Sequence, residues 1–330
     1  DSETQWSRLA ARYLRKEFAL AKEVKRATVH IAGMGLYELF INGQRIGEQV
    51  LAPAPTDYRK TILYNTYDVT PQLQKENAIG VILGNGRFYT MRQNYKPYKI
   101  PTFGYPKLRM NLIVEYTDGS KQTIASDISW KLTTEGPIRS NNEYDGEEYD
   151  ARKELGDWNR TGYDDTNWIS AQRVSIPSGT LRAQMMPGMK VTESLKPVSI
   201  RKQGGKHILD IGQNMAGWLR IRIKGQAGDS IRLRFAERLQ PDGEIFTKNL
   251  RDAHCTDIYV VSGREPQDAT WAPRFVYHGF RYVEISGYPN AKTEDFTAEV
   301  VDDEMAHTGT FTGSDETLNQ VLRNAFWGIR

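Results

Sequence analysis

Residues 219–235 read LRIRIKGQAGDSIRLRF, and this stretch decides the fold class. Apolar residues occupy every second position on both sides of a polar turn at 225–229, namely Leu219, Ile221, Ile223, Ile231, Leu233 and Phe235. Because successive side chains of a β-strand point to opposite faces, this alternation predicts two strands. One face of each strand belongs to a core, and the face that carries the basic residues belongs to water.

Short runs of this kind recur along the chain, separated by turn signals. Residues 36–41 close on Asn42-Gly43, the strongest short hairpin signal, and Asp118-Gly119 divides the runs at 108–116 and 122–126. No long helical pattern lies between the runs, which indicates an all-β fold. Since 330 residues exceed what one core usually serves, we predict two β-sandwich domains, at 18–180 and 181–305. Residues 1–17, short and basic with roughly helical apolar spacing, are predicted to be a lead-in segment.

The last segment, 306–330, changes period. Ser314 can cap a helix, and Leu318, Val321, Leu322, Ala325 and Phe326 then follow at helical spacing. We expect a linker and an amphipathic helix whose apolar face has little remaining sequence to pack against. This chain would then be the N-terminal part of something longer. The alternative is a helix that docks back on the second sandwich.

Composition and spacing exclude several classes of partner and site. The 44 basic and 41 acidic residues leave a net charge of only +3 without a dominant basic block, so we expect no nucleic-acid partner. No run of about 18 apolar residues exists, so we expect no membrane partner. The single cysteine, Cys255, permits neither an internal disulfide nor a zinc site, and the His residues never stand at metal-ligand spacing.

The acidic run at 141–150, NNEYDGEEYD, has the density of oxygen atoms that a calcium ion or a sugar requires. Its spacing is not that of an EF-hand. The alternative is an ordered loop whose carboxylates cap backbone N–H groups or pair with Arg152 and Lys153. A pair of glycosidase carboxylates would also be acidic residues near aromatic ones, but their separation is not readable from sequence.

Longer motifs follow one another in both halves of the chain. Those of the first half are 37–43 (YELFING), 56–58 (TDY), 64–70 (YNTYDVT), 84–89 (GNGRFY), 144–152 (YDGEEYDAR) and 164–168 (DDTNW). Those of the second half are 210–218 (DIGQNMAGW), 236–237 (AE), 242–243 (DG), 249–251 (NLR), 256–257 (TD) and 278–282 (HGFRY). Together they resemble the N-terminal and concanavalin-like domains of bacterial α-L-rhamnosidases, glycoside hydrolase family 78. The resemblance covers nearly the whole chain in unbroken order.

The resemblance implies the fold and the function of the parent protein. It implies two jelly-roll or concanavalin-like β-sandwiches, followed near Ser314 by the first helix of an (α/α)6 catalytic barrel. The parent would be an inverting hydrolase that releases terminal L-rhamnose from plant or microbial glycans, using a general acid and a general base. Both carboxylates belong to the barrel, so no residue of this chain is assigned a catalytic role and the chain alone is expected to be inactive.

Its expected partners are a rhamnose-containing oligosaccharide or glycoside and its own C-terminal barrel. The alternative is a free-standing carbohydrate-binding protein without a catalytic domain. The start of the chain fits a processed polypeptide, and we expect a bacterial protein that is periplasmic or secreted, although a cytoplasmic location is also compatible. Residues 210–218 are expected to dock the second sandwich onto the barrel, with Gly212 and Gly217 at tight backbone positions and Trp218 in the core.

Some members of the family carry a module resembling carbohydrate-binding module family 67, which holds rhamnose through calcium. The resemblance implies these sugar-binding candidates: Asp57, Arg87, Tyr89, Asn94 and Tyr95. It implies Asp57, Asn94 and Pro97 as candidate calcium ligands, although no cofactor is required. The alternative, favoured because Tyr58 stands where another oxygen ligand would help, is that Asp57 caps a turn and the tyrosines of 84–104 pack a long loop.

Overall fold

The computed structural model describes residues 9–89, 103–251, 253–303, 305–306 and 308–330. The chain divides into two compact units. The first unit comprises Asp1–Glu143 and Glu147–Met186, and the second unit comprises Tyr144–Gly146 and Pro187–Arg330. The sequence places the boundary at 180/181, but a strand at Thr180–Ala183 pairs with Thr61–Asp68 and so keeps that segment in the first unit.

The first unit is a sandwich of two sheets. Its strands are β1 (Arg12–Ala19), β2 (Val24–Met34), β3 (Leu36–Ile41), β4 (Gln44–Arg45), β5 (Thr61–Asp68), β6 (Glu76–Gly84), β7 (Lys107–Tyr116), β8 (Lys121–Ala125), β9 (Lys131–Thr133), β10 (Ile138–Asn142), β11 (Gly146–Asp150), β12 (Ile169–Ser170) and β13 (Thr180–Ala183). One sheet has the order β12-β9-β1-β6-β3-β4, and the other has the order β13-β5-β2-β7-β8. Strands β10 and β11 belong to neither of these two sheets. Val29 and Leu112 of one sheet and Leu39 and Val81 of the other are fully buried in one common core.

The two predicted hairpins are confirmed. Asn42 and Gly43 both have positive φ, 51° and 82°, the conformation that a two-residue turn between antiparallel strands requires. Asp118 and Gly119 lie in the turn between β7 and β8, which pair antiparallel. The aliphatic pattern and the turn chemistry were sufficient at both places because each hairpin is a local structure.

The lead-in predicted at 1–17 needs correction, because Arg12–Ala19 forms β1 inside a sheet, paired with β6 and β9. The prediction failed because the sequence does not show that Arg15 is buried: its side chain is only 2% exposed. It donates to the carbonyl oxygen of Trp158 at 2.8 Å and forms an ion pair with Asp165. These distant partners satisfy a buried charge that the local sequence marks as a surface residue.

The second unit is a curled β-sheet that carries the C-terminal helix. Its elements are β14 (Met189–Leu195), β15 (Ser199–Gln203), β16 (Lys206–Arg222), β17 (Ser230–Ala236), β18 (Thr256–Val260), β19 (Thr270–Trp271), β20 (His278–Ser286), β21 (Phe296–Asp303) and α1 (Glu316–Ile329). The strand order is β18-β17-β20-β16-β21-β14, and β15 and β19 also pair with β16. The alternation predicted over 219–235 is confirmed, since its apolar residues are buried. The two strands it forms are separated by β20.

Helix α1 is amphipathic, as predicted, but its N-cap lies one residue after Ser314, the predicted cap. Asp315 is the N-cap, and its carboxylate accepts a hydrogen bond from the backbone N–H of Thr317 at 2.8 Å. The apolar face is exposed, with Leu318 56% and Val321 57% accessible. Arg330 fixes the end of the helix to the sheet through Asp302 and Glu193, at 2.7 Å and 2.8 Å. In the described part of the chain, no helix is both long and apolar enough to cross a bilayer.

Candidate functional site

Asp57 lies in an exposed turn at one end of the first unit. Its carbonyl oxygen accepts the N–H of Lys60 at 2.8 Å, so the turn closes on its own backbone. Its carboxylate accepts two bonds from the Arg59 guanidinium, from Nε at 2.9 Å and from Nη2 at 3.1 Å. These bonds from Arg59 lower the pKa of Asp57, which holds the group as an anion already neutralised by its neighbour.

Tyr58 turns inward from the same turn and anchors it to an aromatic cluster. Its ring meets Phe88 at 5.0 Å and Phe103 at 5.2 Å between centroids, both edge to face. Burial raises the pKa of Tyr58 to about 12, and the charge of Glu143 adds to the effect. The position after Asp57 therefore supplies packing, not an oxygen ligand.

Phe88 brings two more predicted residues to this end, because Arg87 and Tyr89 flank it in sequence. Arg87 is exposed and pairs with Glu143, with 3.0 Å between Nε and Oε2. Burial raises the pKa of Glu143, although Arg87 opposes that shift. Arg87 therefore presents a guanidinium to solvent that is tethered by one partly desolvated carboxylate.

Tyr89 is buried, and Tyr105 is its exposed counterpart. The two rings lie parallel within 5°, with centroids 6.2 Å apart, and Tyr105 is 49% exposed. Burial raises the pKa of Tyr89 to about 12. Tyr105 is therefore the exposed ring of this pair, and Tyr89 packs beneath it.

The other predicted site residues, Asn94, Tyr95 and Pro97, lie outside the described residues. The structure therefore places Asp57, Arg87 and Tyr89 at one end of the first unit. It does not describe the other three predicted residues. Calcium takes six to eight oxygen ligands, with carboxylates foremost. Arg59 bonds both oxygens of Asp57, and Arg87 pairs with Glu143, so guanidinium groups already engage these two carboxylates. In the described ranges, no three His, Cys, Asp or Glu side chains form a metal-binding group.

Two carboxylates of the acidic run at 141–150 are engaged as the alternative for this run expects, one by Arg152 and one by a backbone N–H. Asp150 accepts two bonds from the Arg152 guanidinium, at 2.8 Å and 2.9 Å. Asp145 accepts the backbone N–H of His254 at 3.0 Å. Lys153, expected to pair within the run, instead contacts Glu135 at 3.0 Å, because its side chain extends away from the run.

The motif at 210–218 occupies the middle of β16, where its pairing with β20 is interrupted between Asp210 and Met215. Arg281 on β20 binds both carboxylate oxygens of Asp210, at 2.8 Å and 3.0 Å. Gly217 has no room for a side chain, because a Cβ there would lie 2.0 Å from the carbonyl oxygen of Glu299. Trp218 is buried and donates to Glu299 at 2.7 Å, as a core residue would.

A buried polar group of the second unit was not anticipated. No local pattern in the sequence joins His278 to Asp257 or to Cys255. Nε2 of His278 lies 3.1 Å from the Asp257 carboxylate, and Nδ1 lies 3.4 Å from Sγ of Cys255. Burial lowers the pKa of His278, but the charge and hydrogen bond of Asp257 outweigh it and raise the value to about 10. The imidazole is therefore protonated at neutral pH, inside a sheet.

Two further residues of the first unit's exposed end were missed. Arg59 controls the carboxylate of Asp57, and the i, i+2 spacing of Asp and Arg in a turn was the available signal, since it recurs in Asp150 and Arg152. Arg12 lies with its guanidinium 5.3 Å from the ring centroid of Tyr105. No local pattern marks that contact, because β1 and the 103–106 segment are far apart in sequence.

Comparison with known proteins places the chain in a family. Residues 22–193 match the model of the α-L-rhamnosidase N-terminal domain, and residues 200–302 match that of the bacterial α-L-rhamnosidase concanavalin-like domain. An α-L-rhamnosidase of Streptomyces avermitilis is 40% identical over 98% of this chain and 32% of its own length. The chain spans about a third of the length of the curated relatives it matches.

Solved structures agree with these matches. The structure of the α-L-rhamnosidase from Dictyoglumus thermophilum aligns with a TM-score of 0.90 at 42% identity, over 97% of this chain and 35% of that one. The Streptomyces avermitilis α-L-rhamnosidase complexed with L-rhamnose aligns with a TM-score of 0.91 at 38% identity, over 97% and 31% of the two chains.

Proposed function

This chain belongs to the bacterial α-L-rhamnosidase family, and from that membership we propose that it is the non-catalytic N-terminal part of an α-L-rhamnosidase. The observation that carries the proposal is the series of the two domain models, over 22–193 and 200–302, in a chain about a third as long as its curated relatives. The whole protein would hydrolyse terminal α-L-rhamnosyl linkages.

The electrostatics of the carboxylates support a non-catalytic role. A general acid must be protonated before the reaction, which a neighbouring guanidinium opposes. Asp57, Asp150 and Asp210 each accept two bonds from an arginine, and those bonds lower the pKa of all three. Glu143 differs, because burial raises its pKa, and it is therefore the described carboxylate to test.

We further propose that the exposed end of the first unit contacts the rhamnose-containing glycan. Asp57 with Arg59 and Arg87 with Glu143 supply charged hydrogen-bonding groups there, around the buried cluster of Tyr58 and its neighbours. Charged groups held in place by partners suit sugar hydroxyls because little side-chain freedom is lost on binding. The binding needs no calcium, since arginine already neutralises Asp57. A relative crystallised with L-rhamnose supports the choice of sugar.

The test of the non-catalytic role is incubation of the chain with 4-nitrophenyl α-L-rhamnoside. We expect no release of nitrophenol above a buffer control. A Glu143→Gln variant is assayed in parallel, because it removes a described carboxylate whose pKa burial raises. Release by the wild type that disappears in Glu143→Gln would contradict the proposal.

A further inference from the structure

The first unit contains an open cavity of about 610 Å³. Side chains of β1, β6 and β7 line it, together with residues of the stretches 125–132 and 169–176. This volume lies in the range of pockets that enclose a small ligand. Basic residues dominate its charged lining: Arg12, Lys107, Arg109 and Arg173. Asp127 is the one acidic residue among the described residues of its wall.

Arg12 and Lys107 both line this cavity, and both contact Tyr105. The Arg12 guanidinium lies 5.3 Å from the Tyr105 ring centroid, and Nζ of Lys107 donates to the Tyr105 carbonyl oxygen at 3.3 Å. Both side chains are half-buried. Two cations are thus held close to one residue from two different sheets.

Neither cation forms an ion pair within the described ranges of the chain. Arg12 donates to the carbonyl oxygen of Ala10 at 3.0 Å, and Lys107 lies 5.0 Å from the Phe88 ring centroid. Burial lowers the pKa of both groups, which reflects the loss of water around each charge. Desolvated cations without a counter-charge destabilise the unbound protein, and an anion placed between them would offset that cost.

Asp127 does not supply the missing charge. Its carboxylate accepts the backbone N–H of Ser129 at 2.9 Å and also the Ser129 hydroxyl. Those two bonds lower its pKa, and the charges of Lys16 and Arg173 act in the same direction. The wall therefore keeps an excess of positive charge beside Arg12 and Lys107.

We propose that this cavity binds one acidic sugar unit, whose carboxylate or sulfate is held by Arg12 and Lys107. Guanidinium and ammonium groups together favour an oxyanion, and a cavity of this volume admits one pyranose ring. The cavity lining includes neither Asp57 nor Arg87, so the test of this site is separate from that of the proposed rhamnose contact. Its existence does not depend on the activity of the whole protein.

The test is titration of the chain at low salt with D-glucuronic acid, D-glucose 6-sulfate and D-glucose, followed by NMR chemical shifts. We expect saturable binding of at least one acidic sugar, with D-glucose at least about tenfold weaker. Lys107→Ala and Arg12→Gln should each weaken binding about tenfold or more, because each removes a charge-assisted hydrogen bond. Whichever acidic sugar binds identifies the carboxylate or the sulfate as the ligand group.

Lys121→Ala is the matched control, because Lys121 lies outside the cavity and pairs with Glu115 at 2.8 Å. Its affinity should equal that of the wild type. Melting curves establish that each variant is folded, and Lys107, at the start of β7, gives a second reading should Arg12→Gln unfold. Failure of both acidic sugars to bind, equal binding of D-glucose, or unchanged affinity in Lys107→Ala would overturn the proposal.

Discussion

The two units place the same chemistry, a carboxylate with a cation, in opposite surroundings. In the first unit, Asp57 and Arg59 pair in an exposed turn. In the second unit, Asp257 and His278 pair where each side chain is at most 1% exposed. An exposed pair contributes little to folding, whereas breaking a buried pair leaves a charge without its partner in the core. Under the proposed function, the exposed pair of Asp57 and Arg59 serves recognition, and the buried pair of Asp257 and His278 serves stability.

The largest effect should come from breaking the buried pair. His278→Ala leaves the Asp257 carboxylate enclosed without its cation, and we expect the free energy of unfolding to fall by about 3–5 kcal/mol. Urea denaturation of both proteins measures this fall in the free energy of unfolding. The control is His207→Ala, a half-buried histidine at the start of β16, which should change stability far less. Equal losses in the two variants would mean that the buried pair does not set the stability of the second unit.

The same pair predicts how stability depends on pH. The folded protein raises the pKa of His278 from an ordinary value of 6.5 to about 10, so the proton is bound more tightly in the folded state. This contribution is fully present below about pH 6.5 and is lost as the pH rises through about 10. We expect the melting temperature to fall across that interval in the wild type and to fall less in His278→Gln. Parallel pH profiles would show that another group is responsible.

The sequence predicts a structure well when neighbouring residues determine it, and poorly when residues distant in the chain do. The alternation at 219–235 and the turn at Asn42 identified strands and a hairpin, because each pattern needs only neighbouring residues. The pairing of His278 with Asp257, and the burial of Arg15 in β1, rest on partners distant in the chain. Sequence alone predicts that a charged residue lies at the surface, because charged residues are rarely buried without a partner.

The exposed end of the first unit was predictable only in part. Asp57 and Arg87 were identified from motifs, and the structure brings them to one end through Tyr58 and Phe88. The motif suggests that the Asp57 carboxylate is available to a ligand, but in the structure that carboxylate is already paired with Arg59. The acidic run at 141–150 shows the same effect, since its arginine follows Asp150 by two residues.

Removing Arg59 from the exposed pair should have a smaller effect than breaking the buried pair. Arg59→Ala releases Asp57, whose pKa should return towards its ordinary value, and we expect weak calcium binding to appear in calorimetric titration. The melting temperature should not change measurably, because the pair is exposed. Arg152→Ala is the matched control, since it frees Asp150 from an identical i, i+2 pair at another place. Calcium binding by the wild type, or by both variants alike, would contradict the role given to Arg59.

The most direct test of recognition by the first unit is titration of the chain with L-rhamnose in the absence of calcium. We predict weak saturable binding that falls about tenfold in both Asp57→Ala and Arg87→Ala, because each loses a charged hydrogen-bonding group at the exposed end. Asp145→Ala, which alters a residue of the second unit, should bind as the wild type does. Binding lost only in Asp145→Ala, or no binding by the wild type, would contradict the assignment of recognition to the first unit.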